Sequence, residues 1–174
     1  MFKKTITPNS QENILYNNIL SLSRNKLFFT KFDLEDTFQN RIYLIFIHTS
    51  FLFIKIKQSN QKEIYKKFYQ KMFDLIFNKI DMNMREIGYG DTVINKNMKF
   101  LVKSFYNILL NCENFNKDRS NASKIFFYKY LKSNKVIKNT SNYPIIQYFD
   151  KYQAFCFDLS LDSVLKGVLN FKYK

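Results

Sequence analysis

Glycine and proline are nearly missing from this chain. Its 174 residues hold three glycines and two prolines, against usual shares of about 7% and 5%. Sandwiches and barrels need many tight turns and the residues that make them, so their scarcity argues for helices joined by polar Asn/Ser-type loops. Histidine occurs once, as His48, and cysteine twice, as Cys112 and Cys156, without metal-ligand spacing. The usual His/Cys zinc sites are thereby excluded, and no metal or cofactor is expected. The opening MFKKTITPNSQEN lacks the apolar core of a secretory signal. Both thiols are then expected reduced, in a cytosol-like compartment. No apolar run reaches the ~20 residues of a membrane span. The longest, Ile42–Ile54, is interrupted by His48, Thr49 and Ser50 and reads as a buried core helix.

Acidic residues are also few. Fourteen Asp and Glu face 28 Lys and Arg, for a net charge of +14. Such a balance invites a nucleic-acid or membrane-surface reading. The basic residues are nearly all lysine, and Asn, Ile, Phe and Tyr are abundant. That is the drift of an AT-rich coding sequence, so charge alone does not choose a partner.

What is present is core material: 46% hydrophobic and 18% aromatic residues. The pattern is all-α, a bundle of about six to seven helices in one domain over 1–174, with looser C-terminal helices at 120–171. Asn9 or Ser10 caps a first helix to about Arg24, with Ile14, Leu15, Tyr16, Ile19 and Leu22 inward. A connector at 26–31 is pinned by Leu27, Phe28 and Phe29. A second helix runs from Asp36 or Thr37 to about Lys57, apolar nearly all round and therefore central. Asn60 caps a third, 61–87, striped by Ile64, Phe68, Met72, Ile76 and Ile80. A fourth, about 93–112, is capped by Asp91 or Thr92. Its apolar face is Ile94, Met98, Leu101, Val102, Phe105 and Leu109, and Lys96, Lys99 and Lys103 form a basic ridge. These two should pack as an antiparallel hairpin. Past a polar loop at 114–121 come a short helix at 123–131, a basic linker at 132–142, a helix at 145–157 and a last one at 161–168.

Two of the three glycines, Gly88 and Gly90, share the turn between the third and fourth helices. A chain this poor in glycine places them where the backbone needs conformations other residues dislike. Around them stand Asp81, Arg85, Glu86, Asp91, Lys96 and Lys99. These charges suit either a plain turn or a surface that positions a partner's loops. The enzyme case is thin. Gly88-Tyr89-Gly90 lies between helices and lacks the further glycines of a phosphate loop. His48, in a core helix, is by default a core or partner-facing histidine with one hydrogen bond rather than a base for a nucleophile. The lysine–aromatic stretch Lys62–Lys71 could serve nucleic acid, but Tyr65, Phe68 and Tyr69 fall on the core face.

The string Asp81-Met82-Asn83-Met84-Arg85-Glu86-Ile87-Gly88-Tyr89-Gly90-Asp91, followed by Val93, Lys96, Lys99 and Phe105-Tyr106, resembles the ubiquinol–cytochrome c chaperone family. The family motif runs roughly D-M-D-x-x-L-R-E-M-G-V-G-D, then spaced lysines, then A-F-Y. Asp36-Thr37-Phe38-Gln39-Asn40-Arg41, with His48 beyond it, is similar to the family's D-T-F-x-x-R…H segment. Residues 165–171 are similar to its end more weakly. The likeness covers about 36–110. Asn83 replaces an expected acid, and Ser104 an expected alanine.

The resemblance implies a non-enzymatic assembly factor of the cytochrome bc1 complex that binds newly made cytochrome b. It implies a place in the cytoplasm, peripheral to the inner membrane (the matrix side in a eukaryote). Contacts with the ribosome exit region, an anionic membrane surface or a small partner chaperone are compatible with it; DNA is not among the implied partners. A short chain without a targeting region looks like the bacterial form. On this reading Asp81, Arg85, Glu86, Asp91, Lys96 and Lys99 face the client, Gly88 and Gly90 hold the corner, and Arg41 and His48 form a second part of the surface. The competing class is a basic helical ribosome- or RNA-binding protein without cytochrome b specificity. An enzyme acting on a lipid or quinone would need a deep polar-lined pocket that the sequence does not announce.

Overall fold

The computed structural model describes residues 10–115, 125–134 and 144–173. These form eight helical segments: α1 (Gln11–Ser23), α2 (Leu27–Thr30), α3 (Phe38–Lys57), α4 (Lys62–Ile87), α5 (Asp91–Glu113), α6 (Phe126–Tyr130), α7 (Pro144–Asp158) and α8 (Leu161–Leu165). Among the described residues the one extended pairing is an isolated bridge between Leu34 and Ser133. The class is all-α, as the turn-poor composition predicts. The connector expected at 26–31 winds into the short α2, with Phe28 fully buried. The expected starts at Asn9 and Ser123, the loop at 116–121 and most of the 132–142 linker lie outside the described residues.

α3 is the axis. Every residue from 42 to 54 is buried, and α3 packs against α1, α4, α5 and α7. Thr37 caps it by accepting the Asn40 N–H. Its buried hydroxyls donate within their own helix: Thr49 to the Ile45 carbonyl and Ser50 to that of Phe46, each at 2.8 Å. A polar group buried this way keeps its hydrogen bond, so its burial costs little. Asn40 is a clamp that periodicity does not reveal. Its side-chain amide donates to the carbonyls of Glu35 and Lys132, and its oxygen accepts from Lys132 N. The start of α3 is thereby tied to the segment after α6.

α4 and α5 form the expected antiparallel hairpin. Phe73 meets Tyr106, Phe77 meets Phe105, and Asn97 comes beside Met84, so partner numbers converge toward the turn. Phe105 is the hub, with ring centroids 5.1 Å from Phe46 and 6.0 Å from Phe53 on α3, and 5.7 Å from Phe73. Edge-on aromatic pairs at such distances add about 0.5–1.5 kcal/mol each beyond burial.

Three local expectations are corrected. Asn60 does not cap α4: it takes a left-handed φ of 57°, and Gln61 precedes the helix without a side-chain cap. Neither Asp91 nor Thr92 caps α5: Gly90 occupies that position, and Asp91 stands in the first turn. Ile14, assigned to the inward face of α1, is 44% exposed, because Leu15, Tyr16 and Ile19 already fill that face.

The glycines also separate. Gly88 ends α4 at φ 99°, a conformation that side chains resist. Gly88 N–H donates to the Arg85 carbonyl and Tyr89 N–H to that of Met84. This is a Schellman stop, in which the residue past the glycine packs against the one three before the end. Gly90 instead has φ −74° and ψ 157° with open space where a Cβ would point. Its backbone does not need glycine, contrary to the expectation. Gly167 does: at φ 79°, an added Cβ would lie 3.0 Å from Gln11 O, Ile14 Cγ2 and Leu15 N.

Candidate functional site: the corner between α4 and α5

The corner is exposed from Arg85 to Val93. Arg85 staples it. Its Nε donates to Asp81 Oδ2 at 2.7 Å, one turn back on α4, and its Nη1 to Asp91 Oδ1 at 2.6 Å, in the first turn of α5. Hydrogen bonds to Asp81 and then Asp91 push the guanidinium pKa up, and the arginine stays charged at any working pH. Asp91 also suits the positive end of the α5 dipole. Among the described residues Glu86, Lys96 and Lys99 are exposed and make no ion pair. The corner thus offers one carboxylate and two ammonium groups not committed internally.

Two of the hollows along α5 lie beside the corner. On the α4 side, a cleft of about 780 Å³ has a floor of Phe73, Phe77, Met98 and Val102, with Asp81 and Lys99 among its rim residues. On the α3 side, a smaller hollow of about 350 Å³ is lined by Phe38, Ile42, Met84, Tyr89, Phe100 and Leu101. Lys96 and Lys103 stand exposed on α5, one turn to either side of Phe100.

The second expected part of the surface divides. Arg41 lies near this region, but its guanidinium is engaged. It pairs with both oxygens of Asp36 at 2.6 and 2.9 Å and sits 4.9 Å over the Phe29 ring. The arginine's hydrogen bond pushes the Asp36 carboxyl pKa down.

His48 cannot face a client, because it is fully buried. Its Nδ1–H donates to the Leu44 carbonyl at 2.6 Å and its Nε2 accepts from the Tyr148 hydroxyl at 2.8 Å. Tyr152 donates to the His48 carbonyl oxygen. Burial lowers the imidazole pKa to about 4, so the ring is neutral and joins α3 to α7. The surface role expected for His48 comes from the resemblance alone, whereas the apolar pattern of α3 already allows a core position, and burial decides for the core.

Sequence reasoning missed the smaller hollow. A signal existed: Phe100 falls off the apolar stripe of α5, and Tyr89 sits between two glycines. No group of three His, Cys, Asp or Glu side chains converges as a metal site among the described residues, and no helix there is long and apolar enough to cross a membrane.

Residues 30–121, just over half of the chain, match the family described as Ubiquinol-cytochrome C chaperone. A solved structure, described as the crystal structure of the Cbp3 homolog from Brucella abortus, superposes with a TM-score of 0.73. The two are 20% identical, and the match covers 94% of this chain and 89% of that one. That likeness bears on the fold. No curated protein sequence matches the chain significantly. The matched span contains α3, α4, the stapled corner and α5, so the chain belongs to the ubiquinol–cytochrome c chaperone family, assembly chaperones of the cytochrome bc1 complex.

Proposed function

We propose that this chaperone binds newly made cytochrome b and holds it for assembly into the bc1 complex, with the α4–α5 corner as the client-facing surface. The observation that carries this reading is the corner itself. Asp81, Arg85, Gly88 and Asp91 build the turn from a staple and a Schellman stop, which leaves Glu86, Lys96 and Lys99 exposed and without an ion pair among the described residues. Mixed charges on a fixed turn orient a partner and reject wrong ones more than they add affinity. The client is a membrane protein, so the chaperone works beside the inner membrane on its cytoplasmic or matrix face. No chemistry on the client is required.

The test is a pull-down of tagged protein from detergent-solubilised cells, washed at high salt. Cytochrome b is expected in the eluate. Ribosomal components alone, released by salt, would mean that phosphate contacts dominate and would overturn the reading.

A further inference from the structure

We infer that the hollow between α3 and α5 is a socket for one bulky apolar side chain of the client, carried on a segment with carboxylates about one helical turn from that anchor. The inference rests on the client reading above and specifies what the surface recognises. Three aromatic side chains stand open around the hollow: Phe38 at 36%, Tyr89 at 44% and Phe100 at 54% exposure. Its floor is closed by Ile42, Met84 and Leu101, none more than 5% exposed. Exposed aromatics around a buried apolar floor cost hydration unless something covers them. A depression of this size receives a side chain and does not project into a bilayer, which favours a protein segment over a membrane. Buried aromatic anchors in such pockets carry most of the energy of many interfaces.

Charge supplies the rest of the specification. Phe100 has Lys96 one turn before it and Lys103 one turn after, both exposed and without an ion pair among the described residues. Asp36 is paired with Arg41, and Asp81 and Asp91 with Arg85, so Glu86 is the one corner carboxylate without an ion pair among the described residues, set against Lys96, Lys99 and Lys103. The hollow's own lining is uncharged, and the lysines one turn to either side of Phe100 place positive charge along α5, which fits acidic groups on the client about one turn from the anchor. The hollow also joins the two stretches, 36–41 and 81–91, that are far apart in the chain. Tyr89 reaches it because the left-handed Gly88 turns it back onto Met84.

The test uses the full-length protein and fluorescein-labelled 15-residue peptides tiling cytochrome b from the same organism. A designed peptide, one Phe with Glu three and four residues to either side, is run in parallel with versions carrying Ala for Phe or Lys for Glu. The proposal expects bound tiles to hold a bulky apolar residue near carboxylates. Phe100→Ser should weaken them at least tenfold, and Leu110→Ser, exposed on the same helix outside the hollow, should not. Tyr89→Ser repeats the test should Phe100→Ser lower the melting temperature. If the designed peptide binds and no tile does, the socket stands and the client reading falls. If tiles bind without regard to Phe100 and Tyr89, the socket falls and the client reading stands. Binding by neither set, equal binding of the Ala version, or Phe100-dependent binding to phosphatidylglycerol vesicles with no peptide bound would each overturn the socket.

Discussion

Arg85 and Asp91 meet across the corner at 2.6 Å, so a side chain from the last turn of one helix locks the first turn of the next. Arg85 is also held by Asp81 at 2.7 Å, and the three residues act as one exposed network. Exposed ion pairs contribute little to global stability but can fix a local geometry. Arg85→Ala should therefore melt close to wild type while amide exchange at 88–92 accelerates, as read by hydrogen–deuterium exchange. A collapse in melting temperature would make the staple a fold determinant instead.

The three glycines should rank by conformation and space, measured by urea unfolding. Gly167→Ala meets both a left-handed φ and three atoms at 3.0 Å and should cost about 2–4 kcal/mol. Gly88→Ala has the strained φ but open space and should cost about 1–2 kcal/mol. Gly90→Ala has neither, but puts a poor N-cap residue at the start of α5 and should cost about 0.5–1 kcal/mol, less than Gly88→Ala. Equal losses at Gly88 and Gly90 would refute the distinction between them.

His48 makes stability depend on pH in a stated direction. Its folded pKa is about 4, against 6.5 for the free side chain, so between those values the unfolded chain binds a proton that the folded chain does not. Stability is full above pH 6.5 and is lost as pH falls toward 4, at about 1.4 kcal/mol per unit. From pH 6.5 to 5 the loss should be about 1.6 kcal/mol, because at pH 6.5 half of the unfolded chains already carry the proton. In His48→Gln, which cannot titrate, that slope should flatten. An unchanged slope would place the acid sensitivity elsewhere.

Both cysteines are buried, and desolvation pushes the thiol pKa up, to about 12 for Cys156. A thiol kept protonated and covered is a poor nucleophile. Native protein at pH 8 should react with a thiol reagent at the rate of global unfolding, and rapidly in denaturant. Fast labelling of either thiol in native conditions would contradict the packing of α5 or α7.

The long helices were legible because their periodicity is long. α3, α4 and α5 run 20, 26 and 23 residues, enough turns for an apolar stripe to declare itself. α2 was not legible: four residues, LFFT, hold one turn and no period. The Asp91 cap was misassigned because a side chain can serve a helix start either by capping it or by standing in its first turn, and Arg85 decided between them through space. The staple could be read in outline from i and i+4 spacing on α4. The hollow could not, since Phe38, Tyr89 and Phe100 come together only when α3 crosses the hairpin. Asn40 and His48 make the same point from inside, because their partners, Lys132 and Tyr148, lie 92 and 100 residues away.

The most direct test of the corner as the client surface is retention of cytochrome b by Arg85→Ala/Glu86→Ala, compared with wild type after a high-salt wash, with melting curves of both proteins. Cytochrome b should stay on the wild type and be lost from the double variant, with near-coincident melts. Full retention by a folded double variant would contradict it, and so would loss that accompanies unfolding, which would make these residues structural.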